Sequence, residues 1–145
     1  MNSGPAPGRN VLVAVRAGGR GDITETHIVW EKTKALPYVA SPTIHDGRVY
    51  YLKKGGFISC LDVSSGKMHY QERLGLGGEY YATPIGVGDR IVVAAERGAV
   101  FVLSNGDTFE VVARNELGEG MRATPAVVDN TLYVRTSDHL WAFGE

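Results

Sequence analysis

The sequence predicts an all-β chain: a partial β-propeller of about three four-stranded antiparallel blades, made of a half-unit, two full units and one three-strand unit. Three observations carry this. A segment of about 42 residues recurs, with Pro42, Pro84 and Pro125 spaced 42 and 41 apart. A turn pair stands four and five positions after each proline: Asp46-Gly47, Gly88-Asp89 and Asp129-Asn130. The runs that follow carry apolar residues at neighbouring positions, as in Tyr50-Tyr51 and Val92-Val93.

Each element follows from local chemistry. Residues 1–9 lack periodicity and read as a flexible leader. Over residues 10–34, Val11–Val15 and His27–Trp30 read as the last two strands of a half blade. The next blade, residues 38–75, begins at Ser41-Pro42, because a residue without an N–H is tolerated only at a sheet edge. Asp46-Gly47 then supplies the positive φ angles of a tight hairpin. Val49-Tyr50-Tyr51-Leu52 is its second strand, Lys54-Gly55-Gly56 a turn, and a third strand starts at Ile58. After the turn Ser64-Ser65-Gly66-Lys67, Met68–Glu72 makes the fourth. The blade at 80–118 repeats this order, with strands at Ile91–Val93, from Val100, and at Phe109–Ala113. The incomplete blade at 121–145 has Leu132–Val134 and a strand from Leu140. The strand total is thirteen. Apolar neighbours on one strand require both sheet faces to be covered, as when one blade stands between two others. A solenoid or a stacked β-sandwich shares the same strand list.

Composition bounds the partners. Fifteen basic and sixteen acidic side chains leave a net charge of −1, which gives no electrostatic drive toward nucleic acid or anionic membrane. No apolar run is long enough to cross a bilayer, and the first ten residues lack the apolar core of a signal peptide. Cys60 is the single cysteine, so neither a disulfide framework nor a multi-cysteine metal site is available.

Ser41-Pro42, Asp46-Gly47, Val49-Tyr50, Gly56, Cys60-Leu61-Asp62 and Ser65-Gly66-Lys67 occur in the order of the pyrroloquinoline-quinone-like (PQQ-like) propeller repeat, which the chain resembles over residues 10–145. Tyr70 stands where that family usually has tryptophan, and Trp30 holds that place in the half-unit. Ser104 replaces the aspartate in the second copy. The resemblance implies a propeller shared by quinoprotein dehydrogenases, by BamB-like lipoproteins that assist outer-membrane protein assembly, and by uncharacterised bacterial proteins. It also implies a periplasmic or cell-surface location.

The residues argue against quinone chemistry. Catalytic relatives use a vicinal cysteine pair, a stacked tryptophan and a calcium ion. One cysteine is present here, and no acidic or amide residue matches the calcium ligands. Trp30 and Trp141 read as blade-to-blade packing. His27, His45, His69 and His139 are too far apart in sequence for a short-range ligand pair. Cys60 reads as a buried small apolar residue. Gly18-Gly19-Arg20-Gly21-Asp22 lacks the Lys-Ser/Thr and helix of a phosphate loop and reads as a hairpin loop. Glu110, Glu116, Glu119, Arg114 and Arg122 read as a mixed-charge rim. No catalytic residue, metal site or cofactor is expected.

The expectation is a non-catalytic scaffold that binds protein or ligand through its loops or channel, with Ser41, Thr83 and Thr124 facing the channel. Two bare blade faces of roughly 400–500 Å² each leave about 10 kcal/mol of burial unused per face, which rivals a domain's net stability. Self-association is therefore expected, most simply as a two-fold dimer of six to seven blades. The alternatives are a fragment of a larger propeller without activity of its own, and a divergent quinoprotein dehydrogenase.

Overall fold

A computed structural model describes residues 10–144; the leader expected over residues 1–9 lies outside them. Among the described residues, thirteen strands form four antiparallel sheets, none closed on itself. The half blade pairs β1 (Leu12–Val15) with β2 (Ile28–Lys32). Blade 1 is β3 (Thr43–His45), β4 (Arg48–Lys53), β5 (Phe57–Asp62) and β6 (Met68–Arg73). Blade 2 is β7 (Ile85–Val87), β8 (Arg90–Ala94), β9 (Ala99–Ser104) and β10 (Val111–Glu116). Blade 3 has β11 (Ala126–Val128), β12 (Thr131–Arg135) and β13 (Leu140–Phe143). Within each sheet the strands lie side by side in chain order. This is the partial propeller that the repeat predicts.

The prolines end the connections that lead into β3, β7 and β11, each a three-residue edge strand. Two-residue hairpins follow, closed by His45 opposite Arg48, Val87 opposite Arg90 and Val128 opposite Thr131. Asp46-Gly47 and Asp129-Asn130 have positive φ at both central residues, the type I′ pattern. In the middle copy only Gly88 does, with φ +54, so glycine-first order selects the other primed turn.

Blades 1 and 2 bury residues on both faces, whereas the half blade and blade 3 each keep one face exposed. Tyr50, Leu52, Ile58 and Cys60 face blade 2, where Ile91, Val93, Phe101 and Leu103 receive them. Their neighbours Val49, Tyr51 and Leu61 face the half blade and pack on Leu12, Trp30 and Met68. On blade 2, Val92, Ala94 and Val100 turn the other way, toward Val134, Leu132 and Trp141 of blade 3.

Two local expectations are corrected. His27 does not open a strand. Thr24–His27 forms one helical turn, α1, and β2 begins at Ile28. Asp22 Oδ1 accepts the Thr24 N–H at 3.0 Å, and the N–H groups of Thr26 and His27 turn back to the Ile23 carbonyl. β10 runs from Val111 to Glu116 rather than from Phe109. Phe109 leaves the sheet to set its ring 5.6 Å from that of Tyr70, and the register shifts between Val111 and Ala113.

Candidate functional site

Antiparallel order places the β1–β2, β3–β4, β5–β6, β7–β8, β9–β10 and β11–β12 loops at one end of the blades, and the β4–β5, β8–β9 and β12–β13 hairpins and the blade-to-blade crossings at the other. Polar side chains tie the blades together at both ends.

At the first end, the loop after β9 reaches over blade 1. Tyr50 donates its hydroxyl to Asn105 Oδ1 at 2.7 Å, and Asn105 Nδ2 donates to Asp46 Oδ2 at 2.9 Å. Arg48 Nε donates to Asp107 at 2.7 Å, and His69 Nδ1 lies 3.6 Å from the same carboxylate oxygen. His45 Nε2 lies 2.7 Å from the Gly88 carbonyl. Burial pushes the phenols of Tyr50 and Tyr70 and the Cys60 thiol above their ordinary values. An Arg48 beside Asp107 is held cationic even more firmly than usual.

At the other end the connection between blades 2 and 3 is latched. Thr136, buried to 4% exposure, donates its hydroxyl to Glu119 Oε2 at 2.5 Å and accepts the indole N–H of Trp141 at 3.1 Å. Glu119 Oε1 lies 2.6 Å from His139 Nδ1. The Thr136 hydroxyl foremost, then His139 and the Asp138 N–H, hold the Glu119 carboxyl below its usual value of 4.5. Arg122 spans to Glu96 at 2.6 Å. Glu119 and Arg122, read from the sequence as part of a charged rim, thus pin blade to blade. Glu116 pairs with Arg114 on β10 itself, and Glu110 is exposed.

The tryptophans pack as expected, and Trp30 explains the Gly-Lys turn. Its indole N–H donates to the Val63 carbonyl at 2.9 Å, and its ring lies on Gly66, where a Cβ would come within 2.6 Å of it. Gly66 also has φ +68, so glycine is required there twice over. Asp62 folds this turn by accepting from the hydroxyls of Ser64 and Ser65 and from the Ser65 N–H, which lowers its pKa strongly. Trp141 stacks on Phe143, with centroids 6.0 Å apart and planes 2° from parallel.

The hydroxyl residues beside the prolines lie on the segments entering the innermost strands. Thr124 Oγ1 accepts the Thr83 N–H at 3.0 Å, which stitches blade 2 to blade 3. Thr43 Oγ1 makes the matching tie from blade 1 to the Pro84 carbonyl. Ser41 is exposed. Sequence reasoning missed Thr43 because it lies one residue beyond the repeated Ser/Thr-Pro pair.

Between blades 2 and 3 the packing opens into two clefts. One, of about 450 Å³, lies among Val87, Arg90, Val92, Val127 and Asn130. The other, of about 510 Å³, lies among Val100, Leu117, Arg114 and Phe143. Val102 and Leu132 border both. The repeat shows why they exist. Where blade 1 presents Tyr50, Leu52 and Tyr70 to blade 2, blade 2 presents Val92, Ala94 and Ala113 to blade 3, as the strand registers align them.

These residues do not fit a quinone–calcium centre. Cys60 is free and fully buried in the first interface. Both indoles are engaged between blades, and among the described residues no three His, Cys, Asp or Glu side chains converge to hold a metal.

No protein-family model matches the sequence, and no curated protein matches it. Solved structures do. BamB from Moraxella catarrhalis superposes with a TM-score of 0.68 at 24% identity, over 80% of this chain and 36% of that one. Quinohemoprotein alcohol dehydrogenase ADHIIG from Pseudomonas putida HK5 gives 0.56 at 12% identity, over 68% and 16%. A europium-containing methanol dehydrogenase gives 0.50 at 16% identity, over 66% and 20%. The chain spans about a third of the BamB chain and a fifth or less of the two dehydrogenases. At these identities the likeness is one of fold: the chain is built as consecutive blades of the β-propeller that BamB and the quinoprotein dehydrogenases share.

Proposed function

We propose that the chain is a non-catalytic propeller scaffold that binds protein or ligand through its loops and channel, and that two copies complete the ring. The observation that carries the reading is the pair of uncovered end faces. On the half blade, Trp30 and Leu12 point toward blade 1, so Val13, Val29 and Glu31 point away from it, with Val11 and Val15 exposed beside them. On blade 3, Leu132 and Val134 point toward blade 2, so Tyr133, Arg135 and Leu140 point outward; Leu140 is 70% exposed. Each face is apolar with one embedded charge, and the charges, Glu31 and Arg135, are opposite. Setting blade 3 of one copy on the half blade of the other, twice around an axis, pairs both charges and covers both faces.

Ser41, Thr83 and Thr124 are proposed to face the channel, and the blades to follow the boundaries 10–34, 38–75, 80–118 and 121–145. The resemblance to the PQQ-like repeat supports a periplasmic or cell-surface location. Light scattering tests the assembly: a particle of about twice 15.6 kDa is expected. Glu31→Arg should dissociate it, and adding Arg135→Glu should restore it. A stable monomer at micromolar concentration refutes the ring, and soluble aggregates favour a fragment whose partner blades lie elsewhere.

A further inference from the structure

We infer that Asn105-Gly106, in the loop after β9, is a self-modification site: the Asn105 amide is lost when the boundary between blades 1 and 2 opens, and the carboxylate it leaves keeps that boundary from closing as before. This goes beyond the scaffold reading and depends on neither its partners nor its ring.

The closed boundary holds this pair from three sides. Tyr50 donates its hydroxyl to Asn105 Oδ1 at 2.7 Å, and the same hydroxyl oxygen accepts the Gly106 N–H at 3.3 Å. Asn105 Nδ2 donates to Asp46 Oδ2 at 2.9 Å. The Asn105 N–H donates to the Asp89 carbonyl at 2.9 Å, which fixes the loop on its own blade. Glycine at 106 answers no demand of the fold. A Cβ there would meet nothing nearer than the Thr108 nitrogen at 4.0 Å, and the φ of Gly106 is not positive, unlike that of Gly66 in the matching loop of blade 1. What the absent side chain does is leave a backbone nitrogen unshielded beside a carboxamide.

That nitrogen attacks Asn105 Cγ once the pair is free to turn. The Gly106 N–H proton passes to water, the N–Cγ bond forms, the Cγ–Nδ2 bond breaks, and ammonia leaves with a proton taken from water. Water then opens the cyclic imide at either carbonyl and leaves aspartate or isoaspartate. In the closed boundary Tyr50 holds both reacting groups and Asp46 holds the leaving nitrogen, so the carboxamide cannot present its face to the attack. Local opening of the loop releases all three contacts. The product cannot restore them. Where Nδ2 donated to Asp46, two carboxylates face each other, and an ionised carboxylate only accepts. The cations at hand are committed: Arg48 donates to Asp107 and to the Asp46 carbonyl. His45 Nε2 lies 3.5 Å from Asp46 Oδ2 but 2.7 Å from the Gly88 carbonyl. Isoaspartate also adds a methylene to the backbone between β9 and β10.

Peptide mapping by mass spectrometry of the full chain, aged in mildly alkaline buffer, tests the inference. Asn105 should gain the mass of an amide-to-acid exchange, slowly in the native chain. The gain should be about tenfold faster in Tyr50→Phe, which deletes two of the holding hydrogen bonds and keeps the ring. Gly106→Ala, whose Cβ has room, should suppress it in both backgrounds. No acceleration in Tyr50→Phe, or conversion indifferent to Gly106→Ala, overturns the inference. A second measurement reads the product and needs no ageing. Asn105→Asp should lower Tm by about 3–5 °C. Adding Asp46→Asn should return most of that loss, because the donor then stands on the other side of the contact. Asp46 has positive φ, which asparagine adopts readily. An Asn105→Asp chain as stable as the native one, or a loss that Asp46→Asn does not relieve, equally counts against it.

Discussion

Blade 1 meets blade 2 through fourteen buried apolar residues, among them Tyr50, Tyr70 and Tyr80; blade 2 meets blade 3 through six, with Met121 the largest. The two interfaces come from the same repeat and use the same strand positions, yet one is filled and the other is cleft. The first three strands of each blade pair alike, but among the described residues blade 3 has no counterpart of β10, so side chains and a missing strand together make the difference. Three positions lose a ring or a branched chain between the copies, and Trp141 in place of Phe101 restores only part of that volume. A propeller therefore does not need every blade boundary equally packed. Rigid neighbours can support one loose boundary.

The largest test of this contrast is truncation at equivalent positions. Tyr50→Ala removes a fully buried ring and strands Asn105. It should cost about 3–5 kcal/mol in denaturant unfolding. Val92→Ala, at the same repeat position on the loose side, should cost about 1–2 kcal/mol, the transfer cost of two methyl groups with little new cavity. Equal losses would mean that the clefts are not energetically distinct from packed core.

Enlargement should then split in sign. Cys60 and Val102 are repeat equivalents, but Cys60 is completely enclosed while Val102 borders both clefts. Cys60→Leu overpacks a tight interface and should destabilise by about 1–3 kcal/mol. Val102→Leu enters open space and should stabilise by up to about 1 kcal/mol from added burial. Destabilisation of similar size at both positions would remove the claim that the second interface has room.

Much of this was legible in the residues, and the limit has a physical cause. The prolines and turn pairs act locally, because a missing N–H and a positive φ constrain the chain wherever they stand. Strand order, blade number and two-sided burial were therefore readable. Trp30 and Trp141 could be assigned to packing because a large ring on a two-sided strand has nowhere else to go. The clefts were not readable. Val92 and Ala113 are unremarkable strand residues until the registers show that they stand where Tyr50 and Tyr70 stand one blade earlier. The α1 turn was missed because the Asp22 side chain, rather than periodicity, starts it. The role of Glu119 was missed because Thr136 and His139 reach it from the next blade.

Titration should separate the two interfaces. The phenols of Tyr50, Tyr51, Tyr70 and Tyr80 are held above their ordinary value of 10.0 by burial, that of Tyr80 at about 12. Unfolding lets them ionise near 10, so their contribution is complete below that pH and lost as pH rises past it. Glu119 is shifted the other way. Its depressed pKa adds stability that is complete above 4.5 and lost as pH falls through the lower folded value. Hydrogen exchange should show blade 1 and its contact with blade 2 loosening first in alkali, and the β12–β13 hairpin loosening first in acid. Glu119→Gln should flatten the acid limb alone. Loss of protection everywhere at once in both directions would mean that the blades do not open independently.

The smallest expected difference lies in the ion pairs across the two boundaries. Arg48–Asp107 ties blade 1 to blade 2, with Nε–Oδ1 at 2.7 Å; Arg122–Glu96 ties the crossing into blade 3 back to blade 2, with Nη2–Oε1 at 2.6 Å. Side-chain exposure is 26% for Arg48 and 60% for Asp107, against 73% for Arg122 and 27% for Glu96, so each pair has one sheltered and one exposed partner. Solvent at the exposed partner raises the effective dielectric around both pairs, and mobile ions screen what remains. Arg48 sits against the Asn105–Asp46 network, so less of its side-chain entropy is left to lose on pairing. Double-mutant cycles should give each pair a coupling within about 0.2–1 kcal/mol, with Arg48–Asp107 the larger. A reversed order would mean that the clefted boundary depends on its charges more than the packed one does, and that side-chain filling is not what distinguishes them.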